Sequence, residues 1–171
     1  MQLMKLAAIG RFDIAVKLIH RGLRLSIVSH VTGIHIKTLR PLHREILGYR
    51  PPSGQLPSTS GILSTRSAQA MASVMAALYQ SAGGDGIYRQ IDMEALLAAH
   101  DLYLELSKSV ILRVSSDKPL DITQAWIIAR DIQTGAVYSK CCSHCRIRYL
   151  CAVACRLPPS CPICALRKRD M

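Results

Sequence analysis

The chain has 171 residues, half of them apolar but only 5% aromatic, and a formal net charge of +11 at pH 7. This length is enough for one domain with a small appendage, and no apolar run approaches the roughly 18 residues that a membrane-spanning helix needs. A core with so few aromatic side chains rests on Leu, Ile, Ala and Val, which favours packed helices over a β-sandwich.

The basic residues concentrate at the two ends of the chain. Residues 1–50 carry nine Lys/Arg and two acidic residues, residues 51–140 carry seven and eight, and residues 141–171 carry six and one. Two separate basic segments are what a nucleic-acid-binding protein needs in order to neutralise phosphates. The same charge could also serve solubility, or attract an acidic protein or a membrane surface.

Helical periodicity marks the N-terminal part of the chain. Apolar residues recur at helical spacing over residues 11–20, and Gly22 is a candidate left-handed cap for this helix. A second short helix is expected over about residues 23–30. A third helix, over residues 35–47, has its apolar residues roughly on one face, and Pro41 inside it would kink or interrupt the helix.

The second and third helices have the outline of a helix-turn-helix. They are short, the turn signal Thr32-Gly33 lies between them, and the second of the two is rich in Lys and Arg. The pattern is not specific, because any helical hairpin with a glycine turn shows it. A basic helix face usually contacts solvent and has no binding role. The two basic ends of the chain strengthen the hypothesis of DNA binding.

The middle of the chain alternates breaks and helices. Residues 49–61 hold three prolines and two glycines, which excludes a helix and predicts a linker or an ordered extended loop. The other predicted elements are helices over residues 64–82, 91–106 and 121–133, a glycine-rich break at 83–86, and a short strand or helix end at 110–114. Asp121 is a candidate N-cap, whereas His100 and Trp126 are most simply core residues.

Seven cysteines lie between Cys141 and Cys164. Cys142, Cys145, Cys161 and Cys164 form the pattern C-x2-C-x15-C-x2-C, which is typical of a zinc site because two intervening residues let both thiolates of one knuckle face one ion. Four sulfurs would close a tetrahedral Zn²⁺ site without an open position, so the zinc would be structural. Short strands are expected on either side of the first pair, at residues 136–138 and 146–150.

Other uses of the cysteines stay open. An odd number argues against a disulfide framework, and no secretory signal precedes them, so a reducing cytoplasmic location and metal binding are expected. Cys141, Cys151 and Cys155 are surplus to the pattern. His144 could replace one sulfur, and Cys151 and Cys155 could form a knuckle of their own or act as apolar fillers.

No catalytic constellation is recognisable in the sequence. Ser, His and Asp are present, but none lies in a nucleophile-elbow context, and Asp92 and Glu94 lie on different helix faces. His144 next to Cys145 is a poor nucleophile–base pair because adjacent residues rarely align for proton transfer. We therefore expect a protein that is not an enzyme.

Several short motifs follow one another over residues 11–165. They are Gly22, Arg24, Leu25, Thr32, Leu39, Leu42, Glu45 and Gly48, then Pro51-Pro52-Ser53-Gly54-Gln55-Leu56-Pro57, Ala72-Ser73, Leu102-Tyr103-Leu104-Glu105, Thr123, Ala125-Trp126, Arg130, Gly135 and the two C-x2-C pairs. In this order the chain resembles the FlhC family of bacterial flagellar transcriptional activators over nearly its whole length.

The resemblance implies a function and partners. Members of that family pair with a smaller helical FlhD-type subunit in a hetero-oligomer, which binds double-stranded DNA upstream of flagellar promoters and activates RNA polymerase. The family's four-cysteine zinc site supports its fold. Carried onto this chain, zinc ligation goes to Cys142, Cys145, Cys161 and Cys164.

The expected fold is mainly α, with a small C-terminal zinc-binding module built on four cysteines. We expect a helix-turn-helix-like region over residues 1–48, a Pro/Gly-rich loop over 49–61, a helical core over 62–135 and the zinc-binding module with a basic tail over 136–171. The candidate DNA contacts are Arg24, Lys37, Arg40, His43, Arg44, Arg50, Arg146, Arg148, Arg167, Lys168 and Arg169. The alternative is a zinc-containing protein-interaction module, or a divergent paralogue, that binds an acidic partner without sequence-specific DNA binding.

Overall fold

A computed structural model of the protein describes residues 2–108, 118–154, 157–158 and 160–168, with side chains from residue 8 onward. It confirms the mainly α fold: these ranges contain eight α-helices, one 3-10 turn and one two-stranded sheet. The chain divides into two compact units, Met1–Gln55 and Leu56–Met171. Within the described ranges, no helix combines the length and hydropathy that crossing a membrane requires.

The first unit is a bundle of three helices, α1 (Gln2–His20), α2 (Leu25–Thr32) and α3 (Ile36–Leu47), each of which packs against the other two. Its core consists of the fully buried aliphatic side chains Ala15, Leu18, Ile19, Leu23, Ile27, Val28 and Leu39. Helices as short as α2 and α3 are marginal in isolation, so the burial of these side chains stabilises them.

The boundaries of the first unit differ from the prediction in two respects. Helix α1 begins at Gln2, well before the predicted start at residue 11. Helix α3 continues through Pro41 without interruption. An exposed proline in the helix removes the single hydrogen bond that its N–H would donate to the carbonyl of Lys37, and packing of the apolar face outweighs that loss.

The second unit is organised around α5 (Arg66–Gly83). It contains in addition α4 (Thr59–Ile62), a 3-10 turn (Gly84–Tyr88), α6 (Met93–Lys108) and α7 (Ile122–Gln133). Helix α5 packs against α4, α6 and α7, and its buried side chains Met71, Met75 and Tyr79 face the core. Most of the remaining core is aliphatic, as the composition predicts, and Tyr103 and Trp126 are buried aromatic residues within it.

Helix α4 contradicts the prediction that residues 49–61 exclude a helix. The hydroxyl of Ser58 accepts a hydrogen bond from the N–H of Gly61 at 3.2 Å and so caps the helix N-terminus. The hydroxyl of Thr59 donates to the carboxylate of buried Asp131 in α7. A long-range partner thus stabilises a turn that the local composition disfavours.

The other predictions for this unit are largely confirmed. Asp121 caps α7 and forms a reciprocal capping box with Gln124. Trp126 is buried, and His100 is a core residue whose Nε2 lies 3.0 Å from the carbonyl oxygen of Leu120. The predicted strand or helix end at residues 110–114 lies outside the described residues.

The C-terminal part of this unit contains a hairpin and a short helix. Strands β1 (Val137–Cys141) and β2 (Arg148–Ala152) pair antiparallel, from Val137 opposite Ala152 to Cys141 opposite Arg148. Strand β2 begins two residues later than predicted, because Arg146 belongs to the connecting turn. Helix α8 (Pro162–Arg167) was not predicted; it begins with a proline at its first position, where no N–H is needed.

Candidate metal centre and nucleic-acid interface

The four cysteines of the two C-x2-C pairs meet at one point, with all four sulfur atoms within 4.8 Å of one another. The Sγ atoms of Cys142 and Cys164 are 3.8 Å apart, and those of Cys145 and Cys161 are 3.6 Å apart. Tetrahedral coordination with metal–sulfur bonds of about 2.3 Å requires sulfur–sulfur distances of about 3.8 Å. The four side chains are therefore positioned for binding a metal ion.

A disulfide framework does not fit this arrangement. Sulfur atoms in a disulfide are about 2.05 Å apart, whereas the sulfurs of Cys145 and Cys161 are 3.6 Å apart. The described cysteines are all free thiols. A cluster in which every sulfur is close to the other three, without a bonded pair, is what one shared cation needs.

The first knuckle is the turn of the β-hairpin. Cys142 follows β1, and the backbone closes on itself through the N–H of Arg146, which donates to the carbonyl of Cys142 at 3.0 Å. The backbone N–H groups of Cys145 and His144 donate to the sulfur of Cys142 and lower the pKa of its thiol to about 6. The turn thus stabilises a thiolate before any metal binds.

The second knuckle is the N-terminus of α8, with Cys161 as the N-cap and Cys164 in the first turn. Burial raises the pKa of the Cys161 thiol, although the N–H groups of Cys164 and Ile163 act in the opposite direction. The hydrogen bond from Cys145 and burial raise the pKa of Cys164 to about 12. Without a cation, these pKa directions favour a thiolate at Cys142 and neutral thiols at Cys161 and Cys164, whereas a bound divalent ion would deprotonate all four cysteines.

Helix α5 holds the metal module in place through three side chains at spacing i, i+3, i+7. Gln69 is buried and donates to the carbonyl of Leu150 in β2 at 2.7 Å, and the hydroxyl of Ser73 accepts from the N–H of Leu150 at 2.9 Å. The guanidinium of Arg66 donates to the carbonyls of Pro158 and Ser160, at 2.9 and 2.8 Å, just before Cys161. We call Arg66, Gln69 and Ser73 the α5 clamp, and no pattern in the sequence predicts it.

The two surplus cysteines that the structure describes, Cys141 and Cys151, do not join the cluster. Cys151 is buried in β2 and packs with Tyr149 against the cluster, so it acts as a small apolar core residue. Cys141 is exposed, and its sulfur lies 3.5 Å from the carbonyl oxygen of Arg146. His144 is exposed and contributes only its backbone N–H to the knuckle. Cys155 lies outside the described residues.

The basic residues of α3 form a single exposed face. Lys37, Arg40 and Arg44 are all exposed, and their spacing places them on one side of the helix. Leu39 lies on the opposite, buried side. Helices α2 and α3 are separated by three residues, of which Gly33 is left-handed with φ 70°. Two short helices joined by a three-residue turn with a left-handed glycine match the outline that the sequence predicts, and the second helix presents a basic face.

The other N-terminal candidates are placed differently. Arg24 is half-buried, and its guanidinium donates to the carbonyls of Ser53 and Gln55 at 3.2 Å each, so it orders the Pro/Gly-rich segment. His43 is buried, its Nδ1 lies 3.2 Å from the carbonyl oxygen of Tyr49, and its ring meets the Tyr49 ring edge to face. These contacts give both residues a structural task. Arg50 is exposed.

The C-terminal candidates lie around the metal module. Arg146 and Arg148 are exposed on the hairpin, and Arg167 and Lys168 are exposed at the end of α8. Arg169 lies outside the described residues. Apart from Arg50, the exposed candidates that the structure describes fall into two sets, one on α3 and one on the hairpin and the end of α8.

Comparison with known proteins identifies the family. The sequence profile of the flagellar transcriptional activator FlhC matches residues 6–170. The flagellar transcriptional regulator FlhC of Cupriavidus metallidurans is 29% identical over 140 residues, which is 82% of this chain and 63% of that protein. The flagellar transcriptional regulator FlhC of Enterobacter cloacae is 30% identical over 141 residues, which is 82% of this chain and 71% of that protein.

The lengths of these proteins differ. The chain spans only 63% of the Cupriavidus protein and 58% of the FlhC of Paraburkholderia atlantica, to which it is 29% identical over 133 residues, or 77% of this chain. The profile match nevertheless extends across both structural units and includes both cysteine pairs. The chain therefore belongs to the flagellar transcriptional activator (FlhC) family.

Proposed function

We propose that this protein is the DNA-binding subunit of a transcription activator of flagellar genes, which works in a hetero-oligomer with an FlhD-type partner. The observation that carries the proposal is the family match over residues 6–170. The activity, the partner and the action on RNA polymerase come to this chain from that family. A regulatory and non-catalytic role agrees with a sequence in which no catalytic constellation is recognisable.

The basic face of α3 supports DNA binding. Lys37, Arg40 and Arg44 lie on the second helix of a helix-turn-helix-like pair, the helix that enters the major groove in proteins of that class. Their positive charge would neutralise phosphates and set the salt dependence of binding, whereas only side chains that reach base edges would set the sequence preference. Arg50 and the basic residues beside the metal module extend the candidate surface.

We propose Zn²⁺ as the metal of the cysteine cluster. Four thiolates in a closed tetrahedral arrangement, with two C-x2-C knuckles, are the donor set of structural zinc sites. The ion would be held by Cys142, Cys145, Cys161 and Cys164, and it would join the hairpin turn to the N-terminus of α8. The ion would stabilise the fold and would have no catalytic role. A reducing cytoplasm is the compartment in which such thiols stay available for metal.

DNA binding by the purified complex tests the function. The chain is produced alone and with an FlhD-type partner, and each preparation is titrated with a flagellar promoter fragment and a scrambled fragment of equal length across a salt series. We expect a preference for the promoter that requires the partner, and an affinity that falls steeply with salt.

The same experiment distinguishes the alternative. Weak, salt-sensitive binding that is equal for both fragments and unaffected by the partner would contradict the activator proposal. The basic surfaces would then serve an acidic protein partner instead. The triple variant Lys37→Gln, Arg40→Gln, Arg44→Gln provides the control, because it removes the charge of the α3 face without touching the buried side of the helix.

A further inference from the structure

Arg146 is the only residue other than glycine with a positive φ in the described part of the chain, at 61°. In the left-handed region, the Cβ atom of an L-residue crowds the following carbonyl, a cost that glycine avoids. Such strain persists only where the surrounding structure over-determines it, and it often marks a functional site.

The hydrogen bonds of the first knuckle explain the conformation. The N–H of Arg146 donates to the carbonyl of Cys142 at 3.0 Å, and the N–H of Cys142 donates to the carbonyl of Ile147 at 3.0 Å. The chain must therefore turn at position 146 in order to bring Cys142 and Cys145 together before β2 begins. Glycine would make the same turn with less strain, so the knuckle explains the backbone conformation but not the choice of arginine.

The side chain of Arg146 is exposed in basic surroundings. Arg148, two residues further on, and Lys140, on the other strand of the hairpin, are also exposed. The sequence contains no acidic residue from Lys140 to Lys168. Among the described residues, the ion pairs form elsewhere, on α1, α6 and α7. The hairpin therefore concentrates positive charge without an acidic neighbour in its own segment.

We infer that Arg146 is a phosphate contact of the metal module, retained at a strained turn for its charge, with Arg148 beside it along the same DNA backbone. This inference rests on the proposed DNA-binding function and names a contact within it. A rival explanation exists, since one Zn²⁺ with four thiolates would carry a net charge of about −2 and a nearby arginine could offset it. In that case, removal of the arginine would weaken the metal site and not DNA binding.

The test compares three variants of the full chain, each prepared with the FlhD-type partner. Arg146→Gly removes the charge and the strain together, and Arg146→Lys keeps the charge. Arg89→Gln is the matched control, because it removes an exposed arginine of the same unit whose φ is an unstrained −99°. DNA affinity is measured over roughly 0.05–0.3 M salt with the promoter and the scrambled fragment, alongside Tm and metal content.

We expect Arg146→Gly to lower the affinity about fivefold at 0.15 M salt and to reduce the log–log salt slope by about 0.9, the value of one lost phosphate contact. The loss should be equal for both fragments, because phosphates carry no sequence information. Arg146→Lys and Arg89→Gln should keep the wild-type slope. Arg146→Gly should keep the metal and have an equal or higher Tm, since the strain is relieved.

Three results would overturn the inference. Wild-type affinity and slope in Arg146→Gly would show that the side chain does not contact DNA, while the proposed function would stand because the wild-type complex still binds. A lower Tm together with loss of metal in Arg146→Gly would favour the rival explanation. If the wild-type complex itself binds neither fragment, the proposed function fails, and the inference fails with it.

Discussion

Cys161 has two tasks in the metal module, because it is the N-cap of α8 and its sulfur lies 3.6 Å from that of Cys145. Cys161→Ser replaces a thiolate by a hydroxyl that binds Zn²⁺ poorly. Metal affinity should fall by more than about 100-fold, the upper end of the loss typical of mere outer-shell partners. Metal analysis of the purified variant and a competition titration with a chelator measure this loss.

Cys141→Ser is the matched control for that substitution. Cys141 is exposed and is not part of the four-sulfur cluster. Its replacement should leave metal content and Tm unchanged, because its sulfur makes only weak contacts to the carbonyls of Cys142 and Arg146. Equal metal content in Cys161→Ser and wild type would contradict the assignment of the ligands.

The sequence predicts this ligand set for a local reason. A C-x2-C pair places both thiolates and the N–H groups that stabilise them within four residues, so the spacing alone implies the geometry. The burial of His43, by contrast, could not be predicted. Its ring packs against Tyr49, and the periodicity of a basic helix does not distinguish a buried histidine from an exposed one. The left-handed Arg146 could not be predicted, because glycine is the residue expected there.

At the scale of elements, Gln69 joins α5 to β2 across 81 residues of sequence. In Gln69→Ala the buried carbonyl of Leu150 loses this donor. The free energy of unfolding should therefore fall by about 1–3 kcal/mol. Urea denaturation measures the loss. Gln80→Ala is the control, because its exposed amide bonds only the Tyr88 hydroxyl, and its effect should stay within about 0.5 kcal/mol. Similar losses in both variants would contradict the clamp.

Helices and strands were predicted correctly where residues close in sequence determine them. The predictions failed where a contact with a residue distant in sequence stabilises the element. Asp121 and Gln124 form their capping box within one helical turn, and α7 was predicted almost to the residue. Helix α4 depends on Asp131 of α7, so a Pro/Gly-rich composition was misleading there. The clamp residues Arg66, Gln69 and Ser73 resemble any polar face of a helix until the hairpin is packed against them.

Burial raises the pKa of Tyr103 on α6, whose hydroxyl accepts a hydrogen bond from the buried N–H of Leu120 at 3.1 Å. The folded state therefore holds the phenol proton more tightly than the unfolded state, where the pKa is about 10. The stabilisation is fully present below pH 10 and is lost as pH rises through the higher folded pKa. The free energy of unfolding should consequently decline above about pH 10.

Tyr103→Phe isolates that contribution. The variant should lose about 1 kcal/mol at pH 7, because the N–H of Leu120 loses its acceptor, and should then decline less steeply than wild type between about pH 10 and 11. Lysines and thiols titrate in both proteins, so the difference between the two curves reports the phenol. Urea unfolding at a series of pH values provides both curves, and parallel curves would contradict the prediction.

At the scale of the whole molecule, each of the two units has its own core, and only the second contains the cysteine cluster. The cluster joins a hairpin and a helix that have little apolar core of their own, since four of the residues packed there are the cysteines of the candidate metal site. If the cluster binds a metal ion, we expect metal binding to contribute to the folding free energy of the second unit. The clamp on α5 should transmit loss of the metal into that helix.

Hydrogen exchange before and after chelation tests this coupling. We expect faster exchange in β1, β2 and α8 on removal of the metal, together with the N-terminal half of α5, where Gln69 and Ser73 bind Leu150. Exchange in α1, α2 and α3 should not change, because their core of Leu18, Ile19 and Val28 contains no ligand. Faster exchange confined to the hairpin and α8 would show that the clamp does not couple them to α5. Protection unchanged everywhere would mean that the module folds without metal.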